Sequence, residues 1–243
     1  NAKDSPLHPD HWISLEGLKL DRIGLKSGAL MIGALCSLQQ LIEDVRTPES
    51  LRAAAAQIMS RNIRNMATIG GHVAANLPHS DLIPMLVALH ARIELPSRRT
   101  ATTISVMDYI ISGVPSGKSS LITRIIVPRS DPRRVAACGN IRGSANARSL
   151  LSAAVSLTPT DLGIQDPIIA LAGVARQVVR LTSAEKALHG KPLPPIDKLE
   201  AMISRCVRPT STPFAGAAYQ KHQAGVVVAL AFQEALRPKG GRG

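Results

Sequence analysis

The chain has 243 residues, 45% of them apolar, and it carries a formal net charge of +12. This length fits one large domain or two small ones, and the apolar content is that of a globular protein. No run approaches the roughly 18 uncharged apolar residues of a membrane span, so we predict no membrane partner.

The basic residues are scattered along the chain. A strong positive charge can attract nucleic acid or an acidic partner. The densest groups are Arg98-Arg99, Arg129 with Arg133-Arg134, and the tail from 237 to 242. None of them is interleaved with aromatic residues that could stack on bases. We therefore predict a solvated or partner-facing surface and no nucleic-acid binding, with a basic nucleic-acid module kept as an alternative.

The three cysteines, Cys36, Cys138 and Cys206, lie far apart in the sequence. There is no C-x-x-C, so we expect neither a zinc site nor an iron–sulfur cluster in this chain. A sparse, odd number of cysteines fits a reducing compartment and predicts a cytoplasmic location.

The segments before the middle of the chain predict a strand followed by two helices. The short apolar run 29–34 predicts a buried strand. Ser37 suits the N-cap of the next helix, and apolar residues follow it at helical spacing. Thr47 suits the N-cap of a second helix, with Pro48 at the first helical position.

The stretch from Arg64 to Asp81, here called the glycine stretch, contains the residue choices that best suit a ligand. Gly70 and Gly71 allow a turn with φ > 0, whose N–H groups would form a concave anion site. Thr68 adds a hydroxyl donor, Arg64 adds positive charge, and Asp81 stands before an apolar helix. These features suit a phosphate group with a sugar hydroxyl nearby, although a plain tight turn is the alternative for the two glycines.

The remaining segments predict a sheet with helices, and then a second sheet with helices. Pro84 is tolerated in the first turn of its predicted helix. The predicted strands are 91–95, 100–104, 121–127, 148–157, 168–174 and 177–181, and the predicted helices are 82–89, 106–111, 182–188, 196–206 and 219–236. The sequence 130–132 marks a boundary. We predict an α+β protein with domains at 1–130 and 131–243.

The glycine stretch also resembles a known family. The sequence Ile-Arg-Asn-x-Ala-Thr-Ile-Gly-Gly at 63–71, followed by Pro-x-Ser-Asp-Leu at 78–82, is similar to the second flavin-binding stretch of the FAD subunits of molybdenum hydroxylases. That family includes xanthine dehydrogenase and carbon monoxide dehydrogenase, and the purine-hydroxylase-like FAD subunits are nearest in character. The resemblance implies an FAD-binding domain of the vanillyl-alcohol-oxidase/PCMH type, N-terminally incomplete. A C-terminal domain of the CO-dehydrogenase flavoprotein type, with a small sheet and helices, would follow.

The resemblance also implies roles for particular residues. Thr68, Ile69, Gly70 and Gly71 would contact the FAD pyrophosphate, and Asp81 would bond sugar hydroxyls or act as an N-cap. The other implied positions are Ile122, beside the flavin ring or in plain core; Arg64, on phosphate or on a partner; His72, where the family usually has Asn; and Asn140, where it commonly has Lys.

An electron-transfer role follows from the resemblance. In the family, electrons pass from a molybdopterin-binding subunit across a 2Fe-2S subunit to FAD, and then usually to NAD⁺. No Ser-His-Asp set or carboxylate pair is expected. A cofactor-poor structural subunit of such a complex and a self-contained flavin oxidase are the alternatives. The family's earlier Gly-Gly loop is outside the sequence, so we expect weak FAD binding that an upstream loop would strengthen.

Overall fold

A computed structural model describes residues 11, 13–97, 100–113, 121–144, 147–211 and 215–237. The strands are β1 (Ile23–Lys26), β2 (Ala29–Gly33), β3 (Arg92–Leu95), β4 (Thr102–Ser105), β5 (Arg124–Val127), β6 (Val135–Arg142), β7 (Ser149–Thr160), β8 (Gly163–Ala172) and β9 (Val179–Arg180). The helices are α1 (Leu38–Glu43), α2 (Glu49–Ala56), α3 (Arg61–Met66), α4 (Ile69–Ala75), α5 (Ile83–Ala88), α6 (Val106–Ser112), α7 (Thr182–Leu188), α8 (Ile196–Cys206) and α9 (Ala217–Leu236).

The first sheet has the order β1-β2-β5-β3-β4, and its neighbouring strands are antiparallel. Ile32 on β2 lies opposite Ile125 on β5, which lies opposite Ile93 on β3. All three side chains are fully buried. Because side chains alternate between the faces of a strand, this row lies on one face of the sheet. It forms one layer of the first core, the hydrophobic cluster that also contains the residues of α5.

The second sheet has the order β6-β7-β8-β9, and its central strands β7 and β8 are buried on both faces over most of their length. Alternate residues belong to different hydrophobic clusters. Ala154 and Ile168 join the core that contains α5, whereas Val155 and Ile169 join the core that contains α9. The second sheet therefore separates and supports both cores.

Most of the predicted elements are confirmed, with shifted ends. The bounds of α7 and α8 match the prediction, and Ser37 caps α1 by accepting from Gln40 N. The N-cap predicted at Thr47 is wrong, because α2 is preceded by Pro48 and Thr47 Oγ1 is buried without a hydrogen-bond partner among the described residues.

Four elements were not predicted: β1, β6, α3 and α4. The first two are strands, and β6 is rich in small residues and lacks a hydrophobic alternation, as expected for a strand that contacts protein on both faces. The last two are short helices that lie within or beside the glycine stretch. In α4, Gly70 and Gly71 suggested a turn instead of a helix.

Candidate functional site

The glycine pair lies inside a helix rather than in a turn. Thr68 is the N-cap of α4, and its Oγ1 accepts from Gly71 N at 3.1 Å. Neither Gly70 nor Gly71 has a positive φ. The predicted left-handed turn is therefore wrong, because the Thr68 cap lets both glycines adopt helical backbone angles.

Gly70 is needed for close packing. A Cβ at this position would lie 2.5 Å from Ala34 Cβ and 2.7 Å from Ala34 O. The backbone N–H of Gly70 donates to Ala34 O at 2.9 Å, and that of Ile69 donates to Cys36 O at 2.9 Å. Together with the Gly71 N–H, which donates to Thr68 Oγ1, three of the N–H groups expected to face a phosphate are bonded within the chain.

Gly71 has different surroundings. It is exposed, and among the atoms of the described residues a Cβ there would meet only Thr68 Oγ1, at 2.9 Å. Thr68 Oγ1 acts as an acceptor in its bond to Gly71, so its own O–H remains available as a donor. Thr68 and Gly71 therefore leave the start of α4 open to an approaching oxygen.

His72 lies beside this opening and bonds Ser80. The Ser80 Oγ accepts from Leu82 N at 3.2 Å and from Ile83 N at 2.9 Å at the start of α5. Its one proton is then directed to His72 Nε2, 2.7 Å away, which makes the imidazole neutral with its proton on Nδ1. Burial lowers the pKa of His72 to about 4, in agreement with a neutral ring.

Asp81 is buried at the contact between the two halves of the chain, with 7% of its surface exposed. Its Oδ1 accepts from Ser149 Oγ at 2.6 Å, and its Oδ2 forms an ion pair with Arg142 at 3.3 Å. Burial raises the pKa of the Asp81 carboxyl, while Ser149 and Arg142 lower it. The alternative that Asp81 caps α5 is wrong, because Ser80 receives the first N–H groups of that helix.

The Arg142 guanidinium is itself held on several sides. Its Nε donates to Ser149 Oγ at 3.2 Å, and its Nη2 donates to the backbone oxygen of Gln57. When the Asn140 amide is oriented with its oxygen toward the Arg142 guanidinium, Asn140 Oδ1 accepts from Arg142 Nε at 2.9 Å and from Arg142 Nη2 at 2.6 Å. The second sheet thereby places a cation and its supports against Asp81.

The other two predicted residues have contacts within the protein. Arg64 Nη1 donates to Met59 O at 2.7 Å and Ile58 O at 3.1 Å, just beyond α2, and its Nε donates to Gln39. Ile122 precedes β5 and is 5% exposed in the first core. These contacts give each residue a structural role, and their contacts with a cofactor stay predictions.

The partners of Asp81 were not predicted from the sequence. Arg142 and Ser149 lie 61 and 68 residues away from it along the chain. The one signal was Asn140, which lies two residues before Arg142 on β6 and supports it.

Comparisons with known proteins show the family of the chain. Residues 1–130 match the FAD binding domain in molybdopterin dehydrogenase, and residues 139–235 match the CO dehydrogenase flavoprotein C-terminal domain. The chain therefore belongs to the family of FAD-binding subunits of molybdenum hydroxylases, which are flavoprotein oxidoreductases.

Relatives cover most of the chain. The uncharacterized protein YgfM of Escherichia coli strain K12 is 36% identical over 218 residues, which are 89% of this chain and 77% of that protein. The glyceraldehyde dehydrogenase medium chain of Sulfolobus acidocaldarius is 26% identical over 94% of this chain and 84% of its own length. The nicotinate dehydrogenase FAD-subunit of Eubacterium barkeri is 25% identical over 80% of this chain and 69% of its own length.

Solved structures show the same fold. A chain of the reconstituted CO dehydrogenase from Oligotropha carboxidovorans gives a TM-score of 0.79 at 26% identity, covering 89% of this chain and 78% of that one. Quinoline 2-oxidoreductase from Pseudomonas putida 86 gives a TM-score of 0.78 at 17% identity, which supports the fold alone. The expected α+β fold and its family are confirmed, and FAD is the cofactor of that family.

Among the described residues, no helix is long and apolar enough to cross a membrane.

Proposed function

We propose that this chain is the FAD-carrying electron-transfer subunit of a molybdenum hydroxylase. It would take electrons from a 2Fe-2S subunit and pass them to NAD⁺ or another acceptor. The observation that carries this proposal is the open start of α4. There the Thr68 hydroxyl is available to donate and no side chain covers the backbone at Gly71, within the region that matches an FAD-binding domain.

Thr68 and Gly71 fit a pyrophosphate better than the rest of the predicted set. The Thr68 hydroxyl would donate to a phosphate oxygen, and the absence of a side chain at Gly71 would let that oxygen approach the backbone. Bound FAD supplies the capacity to accept and release electrons, while the protein binds and orients it.

The other predicted site residues would surround Thr68 and Gly71. Asp81 would accept from a sugar hydroxyl of FAD, and Ile122 would contribute apolar surface beside the ring. His72 would act indirectly, through its bond to Ser80, and Arg64 would hold the segment between α2 and α3. Residues 1–130 would form the FAD-binding domain and 131–243 the C-terminal domain.

Partner subunits are part of the proposal. The names medium chain and FAD-subunit in two relatives indicate assemblies with other subunits. We infer that a molybdopterin-binding subunit and a 2Fe-2S subunit assemble with this chain in the cytoplasm. Arginine is favoured at protein interfaces, so the scattered arginines fit such contacts.

A cofactor-poor structural subunit of the same complex is the second candidate. It is favoured by the internal bonds of the Ile69 and Gly70 N–H groups and by the engagement of Arg64 with carbonyl groups beyond α2.

Purification of the protein from its native host separates the two candidates. We expect the absorption bands of flavin, one extractable FAD per chain, and two co-purifying subunits that carry the molybdenum and the iron–sulfur clusters. A colourless protein that assembles with the same subunits would favour the structural candidate. A stable, active monomer would overturn both.

A further inference from the structure

Asp81 connects the glycine stretch to the second sheet. It follows Ser80, whose hydroxyl bonds His72 next to Gly71, and its carboxylate faces β6 and β7. A buried carboxylate is costly unless it is paired and hydrogen-bonded. The state of Asp81 therefore depends on residues from the other half of the chain.

Among the charged and titratable groups described around Asp81, Arg142 provides the positive charge that compensates the buried carboxylate. From β6, Cys138 is the other titratable neighbour. Burial and then the Asp81 charge raise the pKa of its thiol to about 11, so it is neutral. From α4, His72 is neutral as well. From the C-cap of α2 and from β7, the facing groups are the uncharged Gln57, Ser149 and Ser152.

Arg142 is held in a fixed orientation. Asn140 and Ser149 accept from its Nε, and the Gln57 backbone oxygen accepts from its Nη2, which also faces Asp81. A planar guanidinium suits several acceptors in one plane. Its side chain is 17% exposed, against 8% for Asp81, so water screens the pair little.

We propose that Arg142 is a positioning residue of the flavin site. It holds Asp81 ionised and oriented, so that the carboxylate accepts a hydrogen bond from a sugar hydroxyl of FAD. This inference rests on the proposed function and adds to it a residue from the C-terminal half of the chain.

The test is the pH dependence of FAD affinity in the full protein. In Arg142→Gln the carboxyl keeps its burial and loses its cation, so it takes up a proton at a higher pH. A protonated carboxyl is a poorer acceptor for a hydroxyl. Between about pH 8 and about pH 5, the Kd for FAD should rise by roughly tenfold or more in Arg142→Gln as the pH falls. It should change much less in the wild type, and Arg142→Lys should restore the wild-type profile.

The chain offers a matched control. Arg180 and Glu185 form another ion pair, at 2.9 Å, in which the Glu185 carboxylate is also buried. Arg180→Gln should lower the melting temperature and leave the pH profile of FAD affinity unchanged. Asp81→Asn, which cannot ionise, should bind FAD weakly at every pH.

The outcomes separate the two proposals. Equal pH profiles for Arg142→Gln and the wild type would overturn the role of Arg142 alone. The same slope in Arg180→Gln would also overturn it. If Arg142→Gln does not fold, wild-type affinity in Asp81→Asn overturns the role. A wild-type protein that binds no FAD would overturn the proposed function, and this inference with it.

Discussion

A methyl group added at Gly70 meets surroundings that differ from those at Gly71. Gly70→Ala places a Cβ against the Ala34 backbone, so we expect a loss of about 1–3 kcal/mol in the free energy of unfolding. Gly71→Ala meets one side-chain oxygen and gains helix propensity of up to about 1 kcal/mol, so its stability should stay close to wild type. Urea unfolding of the two variants measures the difference.

The same pair tests the flavin site. Gly71→Ala places a methyl group where a phosphate would approach, so FAD affinity should fall by roughly tenfold, or about 1.4 kcal/mol, in a stable protein. Wild-type affinity in Gly71→Ala would show that Gly71 does not face the pyrophosphate. Equal stability of the two alanine variants would contradict the packing role of Gly70.

His72 makes stability depend on pH. Its folded pKa of about 4 lies below the value of about 6.5 in an unfolded chain. The unfolded state therefore binds the proton first. The stability that neutral His72 gives the folded state is fully present above about pH 6.5 and is lost as the pH falls toward 4. The free energy of unfolding should fall by about 3 kcal/mol over this range in the wild type, and this fall should be absent in His72→Asn.

The measurement compares the free energy of unfolding of the wild type with that of His72→Asn at each pH. Asp81 has a raised pKa, so its effect has the opposite sign and favours the folded state as the pH falls. That effect is common to the wild type and His72→Asn, and it cancels in the difference. Parallel curves of unfolding free energy against pH would show that His72 is not buried in its neutral form.

At the scale of elements, Ser80 has two tasks at the start of α5. Its hydroxyl accepts from Leu82 N and Ile83 N and bonds His72, and it is 2% exposed. Ser80→Ala should lower the free energy of unfolding by about 2–3 kcal/mol, because it leaves buried polar groups without hydrogen-bond partners. At the start of α6, the one partner of the Ser105 hydroxyl among the described residues is Asp108 N, so Ser105→Ala should lower the free energy of unfolding by about 1 kcal/mol. Equal losses in thermal unfolding would contradict the second task of Ser80.

Local signals predicted those elements whose cause is local. The helix α1 begins directly after Ser37, because a Ser followed three residues later by Gln forms a capping box. The helix α4 was not predicted, since its glycine pair suggested a turn, whereas Gly70 packs against Ala34 and Gly71 is exposed in the first turn of the helix. The residues Thr68 and Asp81 could be selected from their spacing. Arg142 and Ser149 could not, because only the folded chain brings them to Asp81.

At the scale of the molecule, the second sheet belongs to both cores. Its face toward α5 carries small side chains, including Ala154, Ala170 and Ala172, which let that helix approach closely. All residues of α5 are buried. The helix that follows Asp81 therefore depends on the C-terminal half of the chain for its cover, and so does the candidate flavin site.

This sharing predicts that the chain unfolds as one unit. Ile168 and Ile169 are neighbours on β8, yet Ile168 lies in the core with α5 and Ile169 in the core with α9. Replacing either by Ala should cost about 2–5 kcal/mol. Because each core needs the same sheet, both variants should lower the temperature of a single calorimetric transition that covers the whole chain. Two separate transitions, with Ile168→Ala moving one and Ile169→Ala moving the other, would show that the halves unfold independently and that the second sheet does not couple them.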